Sequence, residues 1–338
     1  MEKLRAICLF IGIIFLGASC SNDIDLTAEW EDIPIVYGLL SRQDTAHYIK
    51  IQKAFLDPTA NALDIAQIPD SLYYDNIVVQ VEHLKSGKIY DLSRVDGNLE
   101  GYKKDEGVFA DAPNYLYKFK LESNEELVEG ESYRLIINRG DNKPEVVADA
   151  VIVGDLLITF PQAGTSLKIL YKDFTVQWKS KFEDDARFFD LQLVFNYEEL
   201  NPAISNTFEP KTIEWSVAKN IKRKIDGSTQ TKYDLPGEGF YQFLASELEA
   251  GPDILRQNIS IEFVVKAGGE GIFEYINIGQ ANTGITSSQV IPTYTNLSEG
   301  LGVFSSINDV TSMPFGSLHP DMKDSIQNGI YTADLNFQ

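Results

Sequence analysis

The sequence predicts a mainly β protein of two β-sandwich-like domains, the first immunoglobulin-like, with one or two short helices in the second. Three observations lead there. Apolar residues recur at period two in many short runs. Turn formers such as Ser86-Gly87, Glu129-Gly130 and Asp141-Asn142-Lys143-Pro144 separate the runs. The chain of 338 residues, 43% apolar, is long enough to bury two cores.

The elements follow in order. Pro34 to Leu40 is a short apolar run, and Tyr48-Ile49-Lys50-Ile51-Gln52 alternates strictly. Leu56 to Ser71, with Pro58 and Pro69, reads as a loop. Ile77 to Leu84, the Ser86-Gly87 turn and Lys88-Ile89-Tyr90 form a hairpin pattern. Tyr115 to Leu121 alternates as a strand with one wet face. Ser132 to Ile137 and Val146 to Val153 complete a set of about seven strands, the number a sandwich needs. Asp155 to Pro161 reads as a crossing into a second unit. The predicted domains are therefore 34–154 and 155–338.

In the second unit, Phe174 to Trp178, Phe188 to Phe195, Ile213 to Val217 and Ile259 to Val265 read as strands. Phe240, Phe243, Leu244 and Leu248 share one helical face, and the helix ends before Gly251-Pro252. Ile272 to Ile278 fits a helix and a strand equally well. Asn220 to Gly239 reads as a loop holding Lys222-Arg223-Lys224. No solenoid-length repeat recurs.

The first residues read as an address. Two cations in Met1–Arg5 precede the apolar run Ile7 to Leu16, which falls short of the about 20 residues of a membrane span. Gly17-Ala18-Ser19 then leads into Cys20, the bacterial lipoprotein pattern, with Leu16 one place further from the cysteine than usual. Residues 1–19 are the predicted signal peptide and 20–33 a tether, with Cys20 taking the lipid. Cys8 would leave with the signal, so no disulfide is expected in the body. The tether begins Ser21-Asn22-Asp23-Ile24-Asp25. It resembles the acidic export signal behind the lipidated cysteine of Bacteroidota surface lipoproteins, with Asn22 departing from that pattern. The resemblance implies an outer-membrane anchor and a body facing outward.

A wider likeness rests on three sets of residues. Val36-Tyr37-Gly38-Leu39-Leu40, Tyr48-Ile49-Lys50-Ile51 and Lys53-Ala54-Phe55 are the first. Asp70-Ser71-Leu72-Tyr73-Tyr74 is the second. Tyr294-Thr295-Asn296 with Gly300-Leu301-Gly302-Val303-Phe304-Ser305-Ser306 is the third. Together they resemble a group of Bacteroidota lipoproteins of unknown function, in many of which an Arg stands where Ile307 stands here. The resemblance implies an anchored, β-rich envelope protein and carries no reaction.

Charge and composition narrow the function. A net charge of −21 repels phosphate backbones, so no nucleic acid is expected. Three His at no metal-ligand spacing and no Cys-x-x-Cys leave no zinc motif and imply no cofactor. No Gly-x-Ser-x-Gly elbow occurs, although a Ser-His-Asp triad is defined by space and not by order. His83 reads as a solvent-side strand residue beside Gln80, and His319 as part of a turn. Glu183-Asp184-Asp185 offers carboxylates for glycoside hydrolysis, but beside Arg187 it reads first as a solvated loop. Asp96-Gly97-Asn98 and Asp226-Gly227-Ser228 read as turns and not calcium loops. Gly268-Gly269-Glu270-Gly271 and Gly300-Leu301-Gly302 lack a phosphate-loop context, so tight turning or close backbone approach is their expected role. Lys222-Arg223-Lys224 reads as a wet loop face. Trp178 and Trp215 sit in strands and belong to a core, whereas Trp30 in the tether either docks onto the body or meets a partner. The reading that results is a non-catalytic binding or accessory module on a lipid anchor, with an outer-membrane transporter as partner. Its rivals are a glycan-binding adhesin with exposed aromatics and a hydrolase with an acidic pair.

Overall fold

A computed structural model of the chain describes residues 33–54, 62–140, 143–182, 185–224, 226–281 and 293–338. The first part holds β1 (Pro34–Ser41), β2 (Ala46–Lys53), helices α1 (Ala62–Ala66) and α2 (Pro69–Leu72), β3 (Val78–His83), β4 (Lys88–Asp91), β5 (Ser93–Asp96), β6 (Tyr115–Lys120), β7 (Ser132–Asn138) and β8 (Val146–Val151). The second holds β9 (Leu156–Phe160), β10 (Phe174–Ser180), β11 (Phe188–Leu200), β12 (Glu209–Lys222), β13 (Gln230–Leu235), α3 (Gly237–Glu247), β14 (Leu255–Gly268), α4 (Glu270–Ala281), β15 (Leu301–Thr311) and α5 (Pro320–Asn328), then a 3-10 turn at Ala333–Leu335.

Alternation decides what each strand buries. In β2, His47, Ile49 and Ile51 point inward while Tyr48, Lys50 and Gln52 point outward. In β7, Tyr133, Leu135 and Ile137 are buried and their neighbours are not. These inner faces meet in one core, with Val36, Ile49, Ile51 and Phe119 on one side and Val79, Val81, Leu135 and Val146 on the other. A second core joins Phe189, Leu191, Leu193 and Phe195 of β11 with Phe263 of β14, Trp178 of β10, and Phe240, Tyr241 and Leu244 of α3. Both are β-sandwich cores, as expected. Trp178 is fully buried, and Trp215 stacks on Phe243 with ring centroids 5.7 Å apart.

The sheets are shared between the two cores. One eight-stranded sheet runs β12-β11-β14-β15-β1-β2-β6-β5, and sheets β4-β3-β7-β8 and β13-β10-β9 cover its two ends. At its centre β15 pairs in parallel with β1, from Ile35 opposite Leu301 to Ser41 opposite Ile307. Leu297 and Phe304, from the C-terminal part of the chain, enter the first core. Val153, ahead of the expected division after residue 154, already belongs to the second core, and the C-terminal segment with Leu297 and Phe304 crosses into the first.

The closing Gly-Leu-Gly-x-Phe-Ser-Ser segment makes that crossing. Gly300 and Gly302 have φ of +97° and +114°, and a Cβ on Gly302 would strike the Val36 carbonyl. Of the two roles expected of these glycines, tight turning and close backbone approach, the geometry at Gly302 requires the second. The Asn296 amide accepts from Phe304 N at 3.0 Å and donates to Phe304 O at 2.6 Å, replacing a strand partner. Ser305 Oγ accepts from Ile272 N at the start of α4. Ser306 Oγ accepts from Val153 N and donates to Val151 O, fastening the link between the two parts.

Several expectations are corrected. The 56–71 loop contains α1 and α2, and the 220–239 loop contains β13. Among the described residues the second part has three α-helices, against the one or two expected. The ambiguous 272–278 segment is helical, within α4. The turn at His319 is the N-cap of α5: its ring Nδ1 accepts from Asp321 N at 3.2 Å, with Pro320 in the first turn. That helix buries only Met322 and Ile326, a stripe too thin to read beforehand. His83 is buried, because residues 79, 81 and 83 share one face of β3.

His47 is 1% exposed and stacks on Phe119 at 4.7 Å, and neither ring nitrogen has a hydrogen-bond partner among the described residues. Burial pushes its pKa down from 6.5 to about 4. The unfolded chain therefore takes up this proton first. Its contribution is complete above the ordinary value, declines as pH falls toward about 4, and reaches a loss of roughly 3 kcal/mol. His47→Phe should remove that part of the acid sensitivity. Urea melts at about pH 5 and about pH 7.5 should show a smaller pH difference in the variant than in the wild type.

Candidate functional site

The outer face of the eight-stranded sheet carries the best candidate. Pairing of β1 with β2 sets Tyr37 opposite Lys50, and pairing of β2 with β6 sets Tyr48 opposite Lys118. Tyr37, Leu39, Tyr48 and Lys50 thus point away from the core together. Leu301 and Ile307 of β15 lie on the same face and are exposed. Two walls rise beside it. On one side α4 brings Tyr275, whose hydroxyl lies 3.2 Å from the Tyr37 hydroxyl. That hydrogen bond, helped by burial, pushes the Tyr37 pKa up to about 12, so the Tyr37 hydroxyl keeps its proton. On the other side the 97–113 loop brings Tyr102, whose ring lies 4.6 Å from that of Tyr48. Tyr102 is 52% exposed and Tyr37 41%, so two aromatic surfaces are open to solvent.

The charges on this face are uneven. Lys118 pairs with Glu100, which also accepts from the Tyr48 hydroxyl at 2.9 Å. Lys50 and Lys104 make no ion pair among the described residues. Lys104 donates to Ala110 O at 2.5 Å and lies over the Phe109 ring at 5.5 Å. Partial burial, and then the nearby Lys104 ammonium, hold Lys50 below the usual lysine value. Burial also lowers Lys104, against the pull of Asp111.

The other expected chemistry is accounted for by structure. Cys20, Ser21, Asn22, Asp23, Asp25 and Trp30 lie outside the described residues, as do Glu183 and Asp184. Asp185 is not a solvated loop residue: its side chain is 1% exposed and accepts from Gly154 N at 2.6 Å and Ala186 N at 2.8 Å. Burial raises its pKa against those donors and against Arg223 at 3.8 Å. Glu129 lies close by, held below the usual carboxylate range against burial by Lys181, the Asp155 N–H and Arg42. Two carboxyls with opposed shifts are a glycosidase pattern, but Asp185 is closed to any sugar oxygen. They belong to the junction, where Arg42 also reaches Glu126, Asp155 and Leu127 O. Arg223, expected on a wet loop face, is buried there and donates to Ser180 Oγ at 2.7 Å.

His83 stands between two partners, with Ser86 Oγ 2.8 Å from Nδ1 and Glu131 2.5 Å from Nε2. The order is that of a catalytic triad. Here it closes a four-residue hairpin turn: Ser86 Oγ accepts from Lys88 N, and Glu131 is shared with Lys85. A cavity of about 560 Å³ lies beside Ile33 and Leu301, where the Arg139 guanidinium is engaged by Pro144 O and Glu299. No three metal-ligating side chains gather among the described residues, and no described helix is long and apolar enough to cross a membrane.

The strand spacing could have found Tyr37, Tyr48 and Lys50, because period two alone sets them opposite Val36, Ile49 and Ile51. Tyr102 and Lys104 carried no such signal, since a loop has no period.

No protein-family model matches the chain, and no curated protein sequence matches it. Among solved structures, it is similar to the C-terminal globular domain of an oligosaccharyltransferase from Pyrococcus abyssi, at 14% identity and TM-score 0.25, over 69% of this chain and 47% of that one. It is also similar to the FN1–FN3 domains of chicken CNTN1, at 10% identity and TM-score 0.18, over 83% and 63% of the two chains. A Salmonella alpha-2-macroglobulin aligns at 12% identity and TM-score 0.20, over 72% of this chain and 14% of that one. The chain thus spans about half of the first protein's length and less than two thirds of the second's. Superpositions this loose bear on no function, and the sandwich architecture rests on the cores and sheets described above.

Proposed function

We propose that the chain is a lipid-anchored envelope lipoprotein of the Bacteroidota kind, held at the outer membrane through Cys20 and facing outward. Its body acts as a non-catalytic binding or accessory module, with an outer-membrane transporter barrel as its protein partner. One observation carries the binding role: the open face of the eight-stranded sheet, where Tyr37, Leu39 and Tyr102 stay exposed between two walls. Single exposed apolar residues are ordinary, but aromatic rings grouped beside ammonium groups that form no ion pair among the described residues are the composition of a recognition surface. The anchor rests on the sequence pattern that ends at Cys20.

The anchor and the partner are tested together. Tagged protein is purified in mild detergent from cells fed an alkyne fatty acid, beside a Cys20→Ala variant. The wild type should carry the label, resist extraction by salt, and bring a β-barrel protein with it. The variant should lose the label and the barrel. An unlabelled wild type refutes the anchor, and a labelled wild type without a barrel refutes the transporter role.

A further inference from the structure

We infer that the open face of the eight-stranded sheet binds an acidic oligosaccharide, with sugar rings laid on Tyr37 and Tyr102 and a uronate carboxylate held between the Lys50 and Lys104 ammonium groups. The inference rests on the binding-module reading and names its ligand.

The charges argue first. The chain carries 50 acidic against 29 basic residues, so a lysine here has carboxylates to choose from. Lys85, Lys88, Lys118, Lys168 and Lys181 each take one. Among the described residues Lys50 and Lys104 form no ion pair, although both are partly buried, where an ammonium without a countercharge costs more than it does in open water. A ligand carboxylate supplies the missing countercharge. The lowered proton affinity of both lysines is the mark of that mismatch.

The shape argues next. β1, β2 and β6 are interior strands with both edges paired, so an extended peptide cannot join them as a further strand. A polyphosphate chain brings no apolar face for the tyrosine rings to receive. A uronate oligosaccharide brings a carboxylate on each ring and an apolar C–H face to lie on an aromatic one. Tyr102, backed by Tyr48, offers such a surface beside the lysines, and the paired hydroxyls of Tyr37 and Tyr275 offer sugar hydroxyls a donor and an acceptor.

The test is calorimetric titration of the full-length protein in detergent with three uronate probes: hexamers of galacturonate and of mannuronate, and a hyaluronan hexasaccharide. Methyl-esterified hexagalacturonate, cellohexaose, hexaglutamate and vesicles containing phosphatidylglycerol serve as comparisons. At least one uronate probe should bind. Its affinity should fall about tenfold or more in Lys50→Gln and in Tyr102→Ala, the loss of one charged or stacking contact. Lys232→Gln, on the far three-stranded sheet, should change nothing, and the methyl ester should bind at least tenfold more weakly than its acid. Equal binding of acid and ester overturns the inference without any variant. So does failure of all three uronate probes, or binding indifferent to Lys50→Gln and Tyr102→Ala. Hexaglutamate or vesicle binding lost in Lys50→Gln, with no uronate binding, overturns the sugar and leaves the binding-module reading standing. A barrel captured through Cys20 with no uronate binding separates the two in the same way.

Discussion

Gly302→Ala should lower the stability of both sandwiches by about 3–5 kcal/mol, one of the two largest single-residue effects expected for this chain. Two costs add. The backbone at Gly302 sits at φ +114°, where an L side chain is strained. The new methyl would also strike the Val36 carbonyl, which belongs to the neighbouring strand and cannot turn away without breaking the β1–β15 ladder. Opening that ladder draws Phe304 out of the first core and loosens Ser306 from Val151 and Val153. Thermal unfolding followed by circular dichroism should show a drop of about 10 °C or more, in one step that takes both parts. A drop confined to the second part would disprove the coupling through β15. Gly279→Ala on α4, where a Cβ meets open space, should leave the melting temperature in place or raise it slightly.

Arg256→Ala is the second, with an expected loss of about 3–5 kcal/mol. The Arg256 side chain is 1% exposed and has every arm engaged. Nε and NH2 hold Glu199 at 2.9 and 2.8 Å, NH1 donates to Leu335 O at 2.7 Å, and NH2 also reaches Glu249 O at 2.9 Å. Its plane is flanked by Tyr197 and Phe337. Truncation leaves a mostly buried carboxylate and two carbonyls without their donor, the costly way to break such a pair. The backbone of Arg256 also bonds Asn336 and Gln338, so the C-terminal residues should come loose first. Brief proteolysis should clip the variant's C-terminus while the rest of the body resists. Arg256→Lys should fall between, because one ammonium cannot reach all three acceptors in the same plane. Wild-type stability in Arg256→Ala would show the clamp to be dispensable.

The sheets were legible in the sequence because alternation is a local property. Tyr48 to Gln52 and Ser132 to Ile137 each show their inner and outer faces within a few residues. The partners were not legible, because period two is the same whichever strand lies alongside. Nothing in Pro34–Ser41 names Leu301–Thr311 as its parallel neighbour. Gly300-Leu301-Gly302 did announce a tight turn or a close backbone approach, though not which of the two nor which backbone. Helix α5 escaped notice because Met322 and Ile326 are its only buried residues, and its N-cap is a histidine, outside the usual Ser, Thr, Asp and Asn. Arg223 and Asp185 looked like wet loop charges for the same reason. A run of ionic residues reads as solvated until tertiary contacts bring a partner from another element.

The candidate site was half legible. The residues on β1 and β2 follow from alternation, while Lys104 and Tyr102 reach them through a loop whose path is set by Asn114 donating to Tyr102 O at 2.9 Å and Asn98 accepting from Lys104 N at 3.1 Å. Those contacts span distances that no local pattern encodes.

The parallel pairing of the first described strand with the last one of the large sheet also sets a timetable. About 260 residues separate Ser41 from Leu301, so the central seam is the contact that must wait longest as the chain emerges from its N-terminus. Until then β1 presents a bare edge, and the first core lacks Leu297 and Phe304. A chain held up after residue 154 should therefore remain sticky and open to proteases, and the arrival of residues 295–311 should seal both halves at once. Folding governed by so distant a closure is slow, which leaves the chain in an unfolded, threadable form for longer.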